Sequence, residues 1–386
     1  MTQDKQTAVI VIPTYNEAGS IGQMIDYLNS KTFPSLDKKW EMKILVVDGN
    51  SPDGTGKIVT DKSKKYKNVF LLTETSKDGI GAAYLKGFKY AMEKLAADFV
   101  FEFDGDFQHP PEMIPKMLQA IDDGYDYVIG SRKIKGGSNP KGWGFKRTFL
   151  SEAGSLVARI ILFFPFKNFF HVTDPTTGLK VTRVRGFADH LNLNFNHLYT
   201  KSFGYKFQLL FETLALGARF KEVPLVFNVR TTGESKIERQ ATIEMLMTTL
   251  KIRWFDDFTQ KFLKFGTVGF VGYLFNAFGL VLFAKITTIE WLIWLLATEV
   301  AIISNFTLNN VWTFSSQKIT DTSLFIKKFF QFNLSSVGAI IIQAVVGSIG
   351  VTVFGLSRQI LLPLIILFLV LPYNWLMYNT FIWKKK

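Results

Sequence analysis

Residues 99–110, FVFEFDGDFQHP, run from an aromatic-rich apolar stretch straight into Asp104, Asp106 and Gln108. Two carboxylates held this close repel each other, so the arrangement is costly unless a cation or hydrogen bonds compensate. Mg²⁺ and Mn²⁺ take carboxylate, amide, water and phosphate oxygens. The spacing therefore points to a hard divalent cation at Asp104 and Asp106, with Gln108 adding a neutral oxygen. A bare Asp-x-Asp also occurs as a solvated turn; its place at the end of an apolar strand favours the metal reading. The chain has no cysteine, which excludes disulfides, thiol nucleophiles and Cys-ligated zinc or iron–sulfur clusters. Its four histidines do not fall at metal-ligand spacing.

Other polar residues suit a phosphorylated ligand. Asp48 and Glu17 can accept from a base or ribose, or alternatively cap helices and close turns beside Asn50, Ser51 and Asp53. Arg132, Arg147, Arg230 and Lys236 are candidate phosphate ligands. The stretch RTTGESKI, residues 230–237, sets a glycine turn between cations and can fold over a phosphate.

These residues need a scaffold, and the periodicity supplies one. AVIVIPTYNE, MKILVVDG, VFLLTET, DFVFEFDGD and YDYVIGSR read as five buried strands. Helical patterns lie at residues 21–28 and 79–95. The alternation predicts an α/β fold, a mostly parallel sheet with helices on both faces. In such sheets ligands bind at the carboxyl ends of the strands. Residues 13–17, 48–53, 104–108 and 131–132 all fall there and should converge in one cleft.

Beyond about residue 260 the composition turns strongly apolar. Runs at 265–284, 329–356 and 359–383 contain no charge, and 291–314 contains only Glu299. Each reaches the ~20 residues that cross a bilayer, which predicts an all-α membrane domain of four transmembrane helices. Lys318, Lys327, Lys328 and the terminal lysines place the first domain, the middle loop and the C-terminus in the cytoplasm, in a multi-pass protein of the cell membrane. Ile243, Leu246, Met247, Leu250 and Trp254 recur at helical spacing near Lys251 and Arg253. That pattern fits a helix on the membrane surface or one packed on its own domain. The predicted divisions are 1–235, 236–262 (interfacial helices) and 263–386. The chain opens directly into a strand, with no cleavable signal peptide. The formal charge of +13 suits an anionic membrane surface or a phosphorylated substrate. No nucleic-acid-binding motif is present, so nucleic acid is not an expected partner.

VIPTYNE, VVDGNSPDGT, GIGAAYLKGF, FDGDFQHPPE, GSR and GESKI together resemble the polyprenyl-phosphate (dolichyl-phosphate) mannose synthases, inverting family-two glycosyltransferases with a GT-A (Rossmann-like) fold. The resemblance covers residues 7–240. It implies transfer of mannose from GDP-mannose to dolichyl (polyprenyl) phosphate. Asp104, Asp106 and Gln108 match its metal motif, with Asp106 and Gln108 coordinating Mg²⁺ or Mn²⁺. Pro13, Tyr15, Glu17, Asp48, Asp104 and Lys236 would bind the donor. Arg132, Arg147 and Ser151 match the acceptor-phosphate residues, Arg230 lies on the closing loop, and the apolar run 156–164 would guide the lipid. Gly49 departs from the pattern, since many relatives carry a second Asp there. LNLNFNHLYTKSFGY, residues 191–205, has no counterpart. Residues 262–383 resemble the GtrA-like four-helix family, associated with lipid-linked sugar assembly. Glu299 and Asn305, Asn309 and Asn310 lie in or near its second run, with a functional and an interhelical bonding role equally open.

Three other functions compete with the first. UDP-glucose would serve the same chemistry. A processive polysaccharide synthase is disfavoured, because Leu250 stands where its surface helix needs Gln. A lipid-linked sugar transporter with an inactive cytoplasmic domain is disfavoured by the intact Asp104, Asp106 and Gln108.

Overall fold

A computed structural model describes residues 5–140, 142–228, 239–288, 290–356 and 364–383. The chain divides into two compact units, Met1–Arg253 and Trp254–Lys386.

The first unit is built on β1 (Gln6–Thr14), β2 (Trp40–Asp48), β3 (Val69–Thr73), β4 (Phe99–Glu102), β5 (Tyr127–Ser131), β6 (Lys180–Arg183) and β7 (Phe220–Pro224). They form one sheet in the order β3-β2-β1-β4-β6-β5-β7. β1 pairs in parallel with β2 and β4, and β2 with β3. β6 runs antiparallel between β4 and β5, and β7 runs parallel to β5. The sheet is thus mostly parallel, as expected, and larger than the five strands foreseen. KVTR and FKEVP are short and carry charges, so neither gives a strong strand pattern.

Helices cover both faces. On one lie α1 (Ile21–Tyr27), α2 (Thr55–Lys65) and α4 (Met113–Asp122), on the other α3 (Ile80–Leu95) and α7 (Tyr205–Ala215). Two apolar clusters result, one around Ile10, Ile44 and Phe101, the other around Val11, Val47 and Phe88. In the second, α3 approaches the sheet at Gly87, where a methyl group would overlap Val11 and come within 3.1 Å of Val47 Cγ2.

A third cluster joins α7 to α5 (Phe145–Phe163) and α8 (Arg239–Phe255) through Leu162, Phe207, Leu210 and Ile252. The short α6 (Asn168–His171) follows α5. One side of α8 therefore packs on its own unit. Ile243, Leu246, Met247 and Leu250 remain exposed, as do Phe145, Phe149, Leu156 and Ile160 of α5. So α8 combines a packed face with an open apolar one.

The second unit is helical: α9 (Asp257–Phe283), α10 (Glu290–Leu308), α11 (Thr322–Thr352) and α12 (Leu371–Met377). Its core gathers Phe265, Phe306, Phe314, Phe332, Tyr378 and Trp383. Asn310 ties it together, accepting from Ile319 N–H at 2.8 Å and Trp383 Nε1–H at 3.1 Å. Among the described residues no helix is long and apolar enough to cross a membrane, so the four predicted spans are not confirmed as four such helices. α9 begins ahead of the first apolar run, with Gln260, Lys261 and Lys264 in its opening turns, and α10 gives way at Asn309 to a wider turn inside the second. The last run is broken into α12 between two such turns, and its residues 359–363 lie outside the described ones. Phe270, Tyr273, Phe330, Leu334 and Phe368 are exposed all the same.

Replacing Gly87 by Ala should lower stability. Overpacking costs about 1–3 kcal/mol and outweighs a helix-propensity gain of at most about 1 kcal/mol. The thermal midpoint of the full chain should fall; an equal or higher midpoint would contradict the close α3–sheet contact.

Candidate active site

The ends of β1 and β2 are tied to each other by Asp48. Its Oδ1 accepts from Thr14 Oγ1 at 3.0 Å and from Ser51 Oγ at 2.6 Å, and its Oδ2 accepts from Ser51 N–H at 2.9 Å. Only 2% of Asp48 is exposed. It braces the loop with three bonds. Asn16 and Asn50 take positive φ of 58° and 57°, which Asn tolerates better than most residues. Pro13 lies within β1. The Tyr15 ring carries the Lys77 ammonium at 3.8 Å. Glu17 N–H donates to Thr55 Oγ1 at 3.0 Å, and Glu17 Oε2 accepts from Ser20 Oγ at 3.1 Å.

β4 neighbours β1 and carries the carboxylates past its buried end. Phe107 takes φ 62°, turning the chain so that Gln108 N–H donates to Asp106 Oδ1 at 3.1 Å. Asp104 is held from below and beside. Tyr84 OH donates to its Oδ1 at 3.2 Å, and its own N–H donates to His109 Nδ1 at 3.2 Å. That bond leaves the ring proton on Nε2. Burial pushes His109 below its usual range against the pull of Asp104, with Lys206 adding to the depression. Burial, then the charge of Asp104, pushes the Tyr84 phenol up, which keeps it a donor.

A polar network lies under this tip. Tyr84 and Tyr205 stack at 5.4 Å, and Tyr205 OH donates to Glu102 Oε2 at 3.0 Å. Lys180 Nζ is 3.5 Å from Glu102 Oε1 and donates to the Lys206 carbonyl at 3.1 Å. Burial lowers the Lys180 ammonium to about 8, against the pull of Glu102.

Carboxylate and amide oxygens of Asp104, Asp106 and Gln108 are the hard donor set that Mg²⁺ or Mn²⁺ accepts. Among the described residues, no three or more His, Asp or Glu side chains are grouped to hold a metal. The set therefore consists of two carboxylates and an amide, and these fit such a cation in kind.

A basic cluster stands beyond it. Arg132, just after β5, forms a two-point ion pair with Asp174: Nε–Oδ2 2.7 Å and Nη2–Oδ1 2.8 Å. Arg132 N–H also donates to Asp174 Oδ2 at 3.1 Å, and Nη2 reaches Thr176 Oγ1 at 2.5 Å. Burial alone would raise Asp174, but the guanidinium holds it below the usual carboxylate range. Arg147 is exposed on α5 and lies over the Trp143 ring at 4.2 Å, with Arg132 at 6.0 Å from the same ring. Ser151 Oγ is 3.4 Å from Lys133 Nζ, which also pairs with Glu152. The Phe227 ring links the two halves of the site. It lies 5.5 Å from His109, 6.4 Å from Trp143 and 5.5 Å from the Arg132 guanidinium. Arg230 and Lys236 lie outside the described residues.

Asp174, Lys133 and Tyr84 went unremarked in the sequence. The Asp-Pro turn at 174–175 and the adjacency of Lys133 to Arg132 were the available signals. Removing Asp174 should leave Arg132 as a buried, unmatched charge. Asp174→Ala is expected to cost about 3–5 kcal/mol, read as a lower unfolding midpoint; an unchanged midpoint would contradict the pairing.

Residues 9–188 match the model of glycosyl transferase family 2, and residues 264–383 that of the GtrA/DPMS transmembrane domain. A dolichol-phosphate mannosyltransferase of Pyrococcus furiosus is 30% identical over 339 residues, 87% of this chain and 88% of that one. An undecaprenyl-phosphate mannosyltransferase of Micrococcus luteus is 36% identical over 63% of this chain and 94% of its own. A polyprenol monophosphomannose synthase of Mycolicibacterium smegmatis is 31% identical over 60% and 81%. The first unit has the GT-A type of fold expected of such enzymes. The chain belongs to the dolichol- and polyprenol-phosphate mannosyltransferases, family 2 glycosyltransferases, and carries a GtrA/DPMS-type transmembrane domain after its catalytic unit.

Proposed function

We propose that this chain transfers mannose from GDP-mannose to dolichyl (polyprenyl) phosphate, with inversion at the anomeric carbon. The observation that carries the reading is the pairing of two sites on one sheet edge. The Asp104–Asp106–Gln108 turn and the Arg132–Arg147–Ser151 cluster are bridged by Phe227 and Trp143. One end suits a nucleoside diphosphate, the other a second phosphate. The names of the relatives support mannose and a polyprenyl phosphate.

Asp104, Asp106 and Gln108 would hold Mg²⁺ or Mn²⁺. Bound there, the cation would offset charge on the departing diphosphate. The loops carrying Pro13, Tyr15, Glu17 and Asp48 receive the nucleoside, Asp48 by keeping the β1 and β2 ends in register. A phosphomonoester has a second pKa of about 6, so the acceptor is largely dianionic at neutral pH. It needs no general base. Arg147 and Ser151 position it, and Arg132 frames the site from its anchor on Asp174. Arg230 and Lys236 are assigned from the sequence alone, as a catalytic and a donor-binding residue. Attack opposite the departing diphosphate gives a β-linked lipid phosphate sugar.

Residues 236–262 lie along the membrane surface, and the four apolar runs of 263–386 lie in the bilayer. The exposed apolar side chains of α5, α8 and the second unit support that placement. The basic residues favour a cytoplasmic catalytic unit, middle loop and C-terminus.

Purified full-length protein in detergent should form lipid-linked mannose from GDP-mannose and dolichyl phosphate, with Mn²⁺ and not with chelator, and the product should be the β-anomer. Product from UDP-glucose alone would overturn the donor assignment. An α-linked product would overturn direct displacement.

A further inference from the structure

Lys206 stands in the first turn of α7, nine-tenths buried. A charge in that position ordinarily has a carboxylate partner, because an unmatched buried charge is costly. Among the described residues Lys206 forms no ion pair, and its ammonium lies 5.8 Å from the centre of the Phe203 ring. Its backbone carbonyl is occupied by Lys180, and Lys180 takes the Glu102 carboxylate.

The ammonium points at the metal motif. Its Nζ is 2.5 Å from where a side chain at Gly178 would begin. His109 Cε1 is 3.0 Å and Asp104 Oδ2 3.3 Å from that same point. A Cβ at this position would displace the ammonium from where it stands. Lys206 therefore approaches the first aspartate beside Gly178, while Arg147, Ser151 and Lys133 gather on α5 and the β5 exit.

We propose that Lys206 is a further binding residue for the donor, a fixed cation that contacts its diphosphate beside Asp104. The inference rests on the nucleoside diphosphate reading above. Its logic is charge matching. Without ligand, the ammonium and a divalent cation both draw on Asp104 and repel each other. A diphosphate brings the negative charge that both need. Lys206 thus favours the diphosphate over the monophosphate and contributes nothing to metal binding alone.

Lys206→Met removes the ammonium and suits a buried position. Gly178→Ala keeps the ammonium and displaces it. Full-length wild type and both variants are titrated with Mn²⁺ by electron paramagnetic resonance, without nucleotide. Calorimetry at saturating Mn²⁺ then measures GDP, GMP, UDP and UMP. In both variants, affinity for the diphosphate that the wild type binds should fall by about 10- to 100-fold. Monophosphate affinity should change by no more than about threefold, and Mn²⁺ affinity should stay level or rise. Unchanged diphosphate affinity in Lys206→Met overturns the assignment. Equal losses of diphosphate, monophosphate and Mn²⁺ overturn it too, since they mark a disturbed site. A wild type that binds neither diphosphate overturns the donor reading itself, a result distinct from the other two.

Discussion

Two carboxylates at one strand tip repel each other, and the active site is organised around that repulsion. β4 is a rigid mount because it is buried on both faces between β1 and β6. Asp106 turns one oxygen to the Gln108 backbone, and Asp104 turns one to Tyr84. Each bond lowers the cost of keeping the charges together and fixes a direction for the carboxylate. The support extends downward through Tyr205, Glu102 and Lys180, so the mount is polar beneath as well as above.

The cations around this tip do not play one role. Arg132 is fixed by Asp174 and Thr176, which makes it a frame for the site. Arg147 is exposed over Trp143, placed to meet a ligand from outside. Lys206 is buried with no ion pair among the described residues, and by the proposal above it meets the donor's diphosphate. A lipid phosphate and a nucleotide diphosphate are both strongly anionic, and their mutual repulsion requires positive charge distributed between them. The aromatic bridge of His109, Phe227 and Trp143 sets the spacing of the two ends.

Much of this was legible in the sequence. The strands β1, β2, β4 and β5 announce themselves by uninterrupted apolar runs, and the polar residues at their ends follow from parallel topology. The Asp104–Asp106–Gln108 motif needed no structure to be noticed. Asp48 was legible as a loop carboxylate, with its bracing bonds only one of two readings. What stayed hidden depends on tertiary contact. Asp174 is 42 positions from Arg132 and acquires meaning only when the loop before β6 brings it there. Lys206 carries no signal in the sequence, and its nearness to Asp104 appears only when Gly178 is seen between them. β6 and β7 are too short and too charged to stand out. The helix at residues 239–255 fitted two patterns, and the structure gives it a packed and an open face.

The central claim is that the β4 tip binds a divalent cation together with the donor's diphosphate. It is tested most directly by Mn²⁺ binding to full-length wild type and Asp106→Asn protein, in the presence of GDP, with folding checked by thermal denaturation. The account predicts a bound Mn²⁺ signal in the wild type, its loss or severe weakening in Asp106→Asn, and a similar unfolding midpoint for both. Equal Mn²⁺ binding by the two proteins would contradict it.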